Sequence, residues 1–273
     1  MWCADGTLVC TSVCDGVLVR VDPSTGAVAV VADTGGGPNA AYPASDGGFV
    51  VTQNGGLDFS RLGRHVGTFA DATYRPVEPG LQRVDPDGRV SYLARDGFRA
   101  PNDLVCDEQG TVFFTDPYHF QREPAEGRVW SRARDGATRV VATGFAYCNG
   151  IAQEPDGTLV VVEQRGLMRV FDDGTREWVV EHLGPGGGDG FCVDADGRFY
   201  VASTSEHGVR VVDGDGTEVE FLAIPGEGVT TNCCFGGDDL RTLFATDAVP
   251  GHVVAWEHMP TPGLPLHPWP APA

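Results

Sequence analysis

Lysine is absent. All 19 basic residues are arginine, set against 38 acidic ones, for a formal net charge of −19. A surface of that sign repels phosphate backbones and anionic lipid, so neither nucleic acid nor a membrane surface is expected as a partner. No apolar run approaches the ~18 residues of a membrane span, and no basic stretch followed by a hydrophobic segment opens the chain. A cytoplasmic location is therefore expected. Eight cysteines are present but no Cys-x-x-Cys, so zinc-type spacing is missing. Cys106, Cys148, Cys192, Cys233 and Cys234 lie in or beside apolar strand-like runs and are read as reduced core thiols, and Cys10 and Cys14 as structural. Nor is there a Gly-x-Ser-x-Gly elbow, which removes the usual signal for Ser-His-Asp chemistry.

What is present is an ordinary folded composition, 41% hydrophobic and 21% charged over 273 residues. All-β folds of this size often form one domain, and a single domain over residues 1–273 is expected. The 38 glycines and 19 prolines point to many turns between short elements.

Internal repetition organises the chain. One class of segment has an apolar run on each side of a turn: Trp2 to Val13, Ala44 to Gln53, Leu104 to Asp116, Ile151 to Glu163, Phe191 to Ser203 and Cys233 to Asp247. Each is followed by a segment of half-exposed alternation, as in Val17 to Val31 and Leu167 to Val180. The turns carry Asp-Gly or similar pairs, which tolerate the positive φ of a tight hairpin. Two hairpins make a four-stranded antiparallel unit, and six units in 273 residues come to about 45 residues each, close to a propeller blade. The expected fold is all-β, a six-bladed β-propeller of four-stranded antiparallel blades. The first hairpin of each unit, apolar on both faces as in Leu159-Val160-Val161-Val162, supplies the inner strands.

Polar residues share one phase where the inner strands begin. Eight residues before the hairpin glycine stand Asn39 (from Gly47), Asn102 (Gly110), Asn149 (Gly157) and Asp189 (Gly197). In the sixth unit, whose turn is longer, Asn232 is assigned the matching place. Asn and Asp are common turn residues. Their shared phase between apolar flanks nevertheless favours oxygen donors converging on one ligand at the channel mouth. Oxygen donors without paired His or Cys suit a hard cation.

At these residues the chain resembles a known family. Pro101-Asn102-Asp103-Leu104 leading to Phe114-Thr115-Asp116-Pro117, then Asn149-Gly150-Ile151-Ala152, then Asp189-Gly190-Phe191-Cys192-Val193-Asp194 are similar to motifs of the senescence marker protein, gluconolactonase and luciferin-regenerating-enzyme-like proteins. So is Thr231-Asn232 through Phe235-Gly236-Gly237 to Leu240-Arg241-Thr242-Leu243. The resemblance implies a six-bladed propeller with one divalent cation, Ca²⁺, Mg²⁺, Mn²⁺ or Zn²⁺, and hydrolysis of a sugar lactone or related ester. It assigns Asn149 and Asp189 as metal ligands and Asn102 as a residue near the metal that contacts substrate or a bound water, and Asn102 is a candidate metal ligand as well. Asp189 is the candidate catalytic base for water, with the cation as Lewis acid on the ring ester carbonyl.

The family's first ligand is a Glu in a Glu-Gly-Pro-Val-Trp-like stretch, and the place eight residues before Gly6 falls ahead of Met1; either the protein is longer at this end and carries that Glu, or it is a shortened form. The first blade is accordingly expected to be short at its N-terminal end. Glu227 is a candidate substitute ligand, read as a solvated loop carboxylate. Residues 55–80 form an insertion in the second unit and a candidate lid, with Arg61, Arg64, His65 and Tyr74 as pocket residues. Tyr118 and His119 are candidate substrate contacts or rim residues. Two other readings stay open: a non-catalytic propeller that binds a small molecule or a protein, and an aryl-ester or organophosphate hydrolase on the same metal site.

Overall fold

The computed structural model describes residues 1–58, 74–117 and 125–271. Six small antiparallel sheets make a six-bladed β-propeller. Sheet 1 holds β1 (Leu8–Ser12), β2 (Val17–Val21) and β3 (Val28–Asp33); sheet 2 holds β4 (Pro38–Pro43), β5 (Phe49–Gln53), β6 (Gly80–Val84) and β7 (Val90–Ala94). Sheet 3 runs β8 (Leu104–Cys106), β9 (Val112–Asp116), β10 (Gly127–Arg132) and β11 (Thr138–Phe145). Sheet 4 runs β12 (Cys148–Gln153), β13 (Leu159–Glu163), β14 (Gly166–Val170) and β15 (Arg176–Val180). Sheet 5 comprises β16 (Phe191–Val193), β17 (Phe199–Ser203), β18 (Gly208–Val212) and β19 (Glu218–Ala223), and sheet 6 comprises β20 (Thr230–Gly236), β21 (Thr242–Asp247) and β22 (His252–Trp256).

Four sheets have the expected four strands; sheets 1 and 6 have three. In sheet 1 the innermost place is reduced to a single bridge, Trp2 to Leu8. In sheet 6 the last strand ends at Trp256. Pro260, Pro262 and Pro265 follow within ten residues, and proline cannot donate to a ladder. No helix of the described residues is long and apolar enough to cross a membrane.

The chain divides into two compact units: Met1–His119 with Val129–Val140 and Leu266–Ala273, and Phe120–Arg128 with Val141–Pro265. In the first unit, Tyr42, Val50, Leu81, Leu104 and Phe114 pack with Trp269, and Trp269 forms a parallel bridge to Ala44. In the second, Val160, Val162, Leu167, Phe191, Phe199 and Val201 form one cluster, and Tyr200, Val209, Phe235 and Leu243 another. Every residue of β5, β13 and β17 is buried, as the doubly apolar hairpins require. The turn glycines do the work expected of them: Gly157 and Gly197 sit at φ of 90° and 82°. All eight cysteines are free thiols, and burial pushes that of Cys106 up to about 12.

Candidate functional site

Four of the five candidate oxygen donors, Asn39, Asn102, Asn149 and Asp189, sit on a β-bulge at the start of an inner strand. In β4, Pro38 pairs with Gln53 and Ala40 with Thr52, so Asn39 is an extra residue. Ahead of β8, Asn102 N donates to Thr115 O (2.8 Å) while Thr115 N donates to Asp103 O (3.1 Å), placing two residues opposite one. In β12, Asn149 and Gly150 together face the gap between the Cys148–Glu163 and Ile151–Val161 pairs. Ahead of β16, Asp189 N donates to Ala202 O and Ala202 N to Gly190 O, both at 3.0 Å. A bulge bends its strand and re-aims the extra side chain out of the pleat. The shared phase in the sequence is therefore a shared distance from hairpin turn to bulge.

The sixth sheet corrects the assignment of Asn232. Thr230 pairs with Asp247 and Asn232 with Thr246, so the bulged residue is Thr231. The longer turn of that unit had removed the anchor for counting. Asn232 Oδ1 instead accepts from Cys233 N (2.8 Å), and its side chain covers Gly190.

A second repeated position escaped the sequence reading. The residue that closes the second strand of four sheets accepts backbone N–H groups from the loop entering the same sheet. Gln53 accepts from Gly37 (2.6 Å), Asp116 from Ala100 (2.7 Å), Glu163 from Ala146 (2.7 Å) and Tyr147 (3.2 Å), and Asp247 from Val229 (2.9 Å). In sheet 5 this residue is Ser203, which donates to Glu206, and Glu206 takes the Gly186 N–H. Burial pushes the Glu163 carboxyl up, against the pull of its two backbone donors. The signal was available: Gln53, Asp116, Glu163 and Ser203 each lie six residues after their hairpin glycine.

In the first unit the bulges of neighbouring sheets are fastened together. Thr11 Oγ1 donates to Asn39 O (2.9 Å), and Thr52 Oγ1 donates to Asn102 O. Asn39 Nδ2 donates to Asn102 Oδ1, and Asn54 Nδ2 donates to Asn39 Oδ1 (3.3 Å). In the second unit the fastening runs through glycine. Gly150 N donates to Asp189 O (3.2 Å) and Gly190 N to Thr231 O (2.8 Å). A Cβ on Gly150 would lie 2.4 Å from Asp189 O, so Asn149-Gly150 needs its glycine for close approach. Asn149 is buried and Asp189 half-buried. Tyr147 stands close enough to feel the Asp189 charge, which adds to burial in raising its hydroxyl pKa.

Asn149 and Asp189 offer an amide oxygen and a carboxylate, a donor set that fits a hard divalent cation in kind. Among the described residues no three or more His, Cys, Asp or Glu side chains gather as a metal site. Glu227 is exposed, as its reading as a solvated carboxylate anticipates. Tyr74 is exposed. Tyr118, His119, Arg61, Arg64, His65 and most of the candidate lid lie outside the described residues.

A propeller whose inner strands open on bulged Asn and Asp residues defines a class, and comparison gives the family within it. Residues 1–249 match the family described as "SMP-30/Gluconolactonase/LRE-like region", and the chain belongs to it. Among curated proteins it is similar to pentonolactonase XacC of Haloferax volcanii, 34% identical over 176 residues that cover 60% of this chain and 59% of that protein. It is also similar to a gluconolactonase of Zymomonas mobilis, 26% identical over 199 residues covering 60% and 54%. The chain thus spans little more than half the length of these relatives. Among solved structures, a luciferin-regenerating enzyme superposes with a TM-score of 0.79 at 15% identity, covering 99% of this chain and 94% of that one. A gluconolactonase from Xanthomonas campestris gives 0.72 at 24%, covering 94% and 82%. At these identities the structural likeness speaks for the fold.

Proposed function

We propose that this protein is a hydrolase that opens a sugar lactone, with Asn149 and Asp189 holding a divalent cation and Asn102 contacting the substrate. The observation that carries the reading is the repetition of an oxygen-bearing side chain at the same bulge in four separate sheets: Asn39, Asn102, Asn149 and Asp189. The lactonase names of two relatives support the substrate class. When bound, the cation supplies Lewis acidity toward the ring ester carbonyl. The chain's own groups do the rest. Water adds to the carbonyl carbon as Asp189 takes its proton; the ring C–O bond breaks, and the departing oxygen takes a proton to leave a hydroxy acid. The Asp189 backbone is held at both its N–H and its carbonyl, by Ala202 and Gly150, which fixes where the carboxylate starts.

Asp189→Asn tests the assignment. It preserves shape and removes both the base and the one carboxylate of the donor set, so lactone opening falls by roughly a hundredfold or more. Wild-type rates in this variant would overturn the role. A second reading, a propeller that binds a small molecule without turning it over, is favoured by that single carboxylate. Saturable lactone binding with no acid release would support it. Faster hydrolysis of an aryl ester or organophosphate than of any aldonolactone would move the substrate class while keeping the site.

A further inference from the structure

We infer that Asn54 and Asn39 form a directed amide relay that sets the polarity of Asn102, so that Asn102 presents an N–H donor, and not an oxygen, to its ligand. The inference rests on the reading of Asn102 as a ligand-contacting residue. Asn102 carries two candidate roles, metal ligand and substrate contact, and an amide performs them with opposite ends: only Oδ1 binds a cation, and only Nδ2 donates to a carbonyl or hydroxyl oxygen.

The direction of the relay is set by a backbone group. Gly56 N–H can only donate, and it donates to Asn54 Oδ1 (2.8 Å). Asn54 therefore turns Nδ2 toward Asn39, which must answer with Oδ1 (3.3 Å). Asn39 then has only Nδ2 to offer onward, and Asn102 receives it on Oδ1. Each amide is oriented by the one before it, as in any chain whose members have one donor and one acceptor end. The anchor itself is fixed: Asn54 N donates to Gly37 O (3.0 Å), and a Cβ on Gly37 would lie 2.4 Å from Asn54 Oδ1, so that side chain packs directly on the glycine. The far end is fixed too, with Asn102 N bonded to Thr115 O (2.8 Å) and Asn102 O taking the Thr52 hydroxyl. Among the described residues Nδ2 of Asn102 meets no acceptor, and the side chain is half-exposed. An N–H pair repels a cation and fits the oxygen that gains charge as a lactone opens. Asn102 thereby belongs with the substrate and not with the metal; Asn39 and Asn54 are positioning residues.

Asn54→Asp tests this without touching the ligand. The new carboxylate still accepts from Gly56 but cannot donate, so Asn39 turns its Nδ2 toward it and Asn102 must turn its own Nδ2 back toward Asn39. In ¹⁵N-labelled protein the Asn102 side-chain NH₂, assigned by its loss in Asn102→Asp, then exchanges with solvent roughly fivefold more slowly than in wild type. In the same variant kcat/KM for lactone opening drops roughly ten- to a hundredfold. It recovers toward wild type as pH falls through the pKa of the introduced carboxyl, whose protonated form can donate again. Asn39→Asp inverts Asn102 by the same logic and serves if Asn54→Asp does not fold. Unchanged Asn102 NH₂ exchange in both variants overturns the relay, whatever the rates do. Absence of lactone opening in wild type would sink the functional reading alone, because the exchange measurement decides the relay independently.

Discussion

Gly190 lies beneath Asn232: a Cβ placed on the glycine would stand 2.1 Å from Asn232 Cγ. Gly190 N also donates to Thr231 O, so the bulge of sheet 5 is seated on that of sheet 6 through a residue with no side chain. Gly190→Ala should cost about 1–3 kcal/mol in denaturant unfolding, the range for overpacking. Gly150→Ala should cost at least as much, because its Cβ meets Asp189 O, a backbone atom less free to move than an amide tip. If both alanine variants match wild type, the glycine-mediated seating is wrong.

The buried imidazole of His207 bonds at both nitrogens, to Gly226 O (3.2 Å) and to Asp247 Oδ2 (2.8 Å). Burial pulls its pKa down, but the bonds to Asp247 and Gly226 and the Asp247 charge outweigh burial and hold it above the ordinary value. A folded-state pKa raised above the unfolded one gives stability that is complete below the unfolded value, about 6.5, and is lost as pH rises through the folded value. Wild type should therefore exceed His207→Gln in stability most clearly in mildly acidic solution, with the gap narrowing at alkaline pH. A gap that is flat or widens with pH contradicts this. His252, 3.2 Å from the same carboxylate oxygen, is the control: it is half-exposed, so its replacement should matter less.

Glu163 accepts two loop N–H groups from a buried position. Glu163→Ala strands both, and each unsatisfied buried donor costs about 1–3 kcal/mol. Glu163→Gln keeps one acceptor oxygen and should lie between. Thermal unfolding of the two variants checks the order.

The fold was legible because its periodicities are local. Asp-Gly turns at Asp156-Gly157 and Asp196-Gly197 fix each hairpin, and the doubly apolar runs on either side can only be inner strands. Asn39, Asn102, Asn149 and Asp189 were legible for the same reason, being a constant step from those turns. Asn232 was misassigned because a longer turn broke the step; pairing of Thr230 with Asp247 decides the register, and pairing is not a local property. The capping residues Gln53, Asp116 and Glu163 look in sequence like strand ends, and only the approach of the incoming loop gives them a partner. The Asn54–Asn39–Asn102 chain was out of reach, since its last bond joins residues 63 apart. Sheet 6 keeps three strands where the pattern counted four, because a proline-rich segment preserves apolar character without a ladder.

The most direct test is a pH-stat measurement of acid release from an aldonolactone by chelator-treated protein, before and after a divalent cation is returned. Loss of the rate on chelation and its recovery with the cation is the predicted result. A rate untouched by the chelator, or none with any cation supplied, would contradict it.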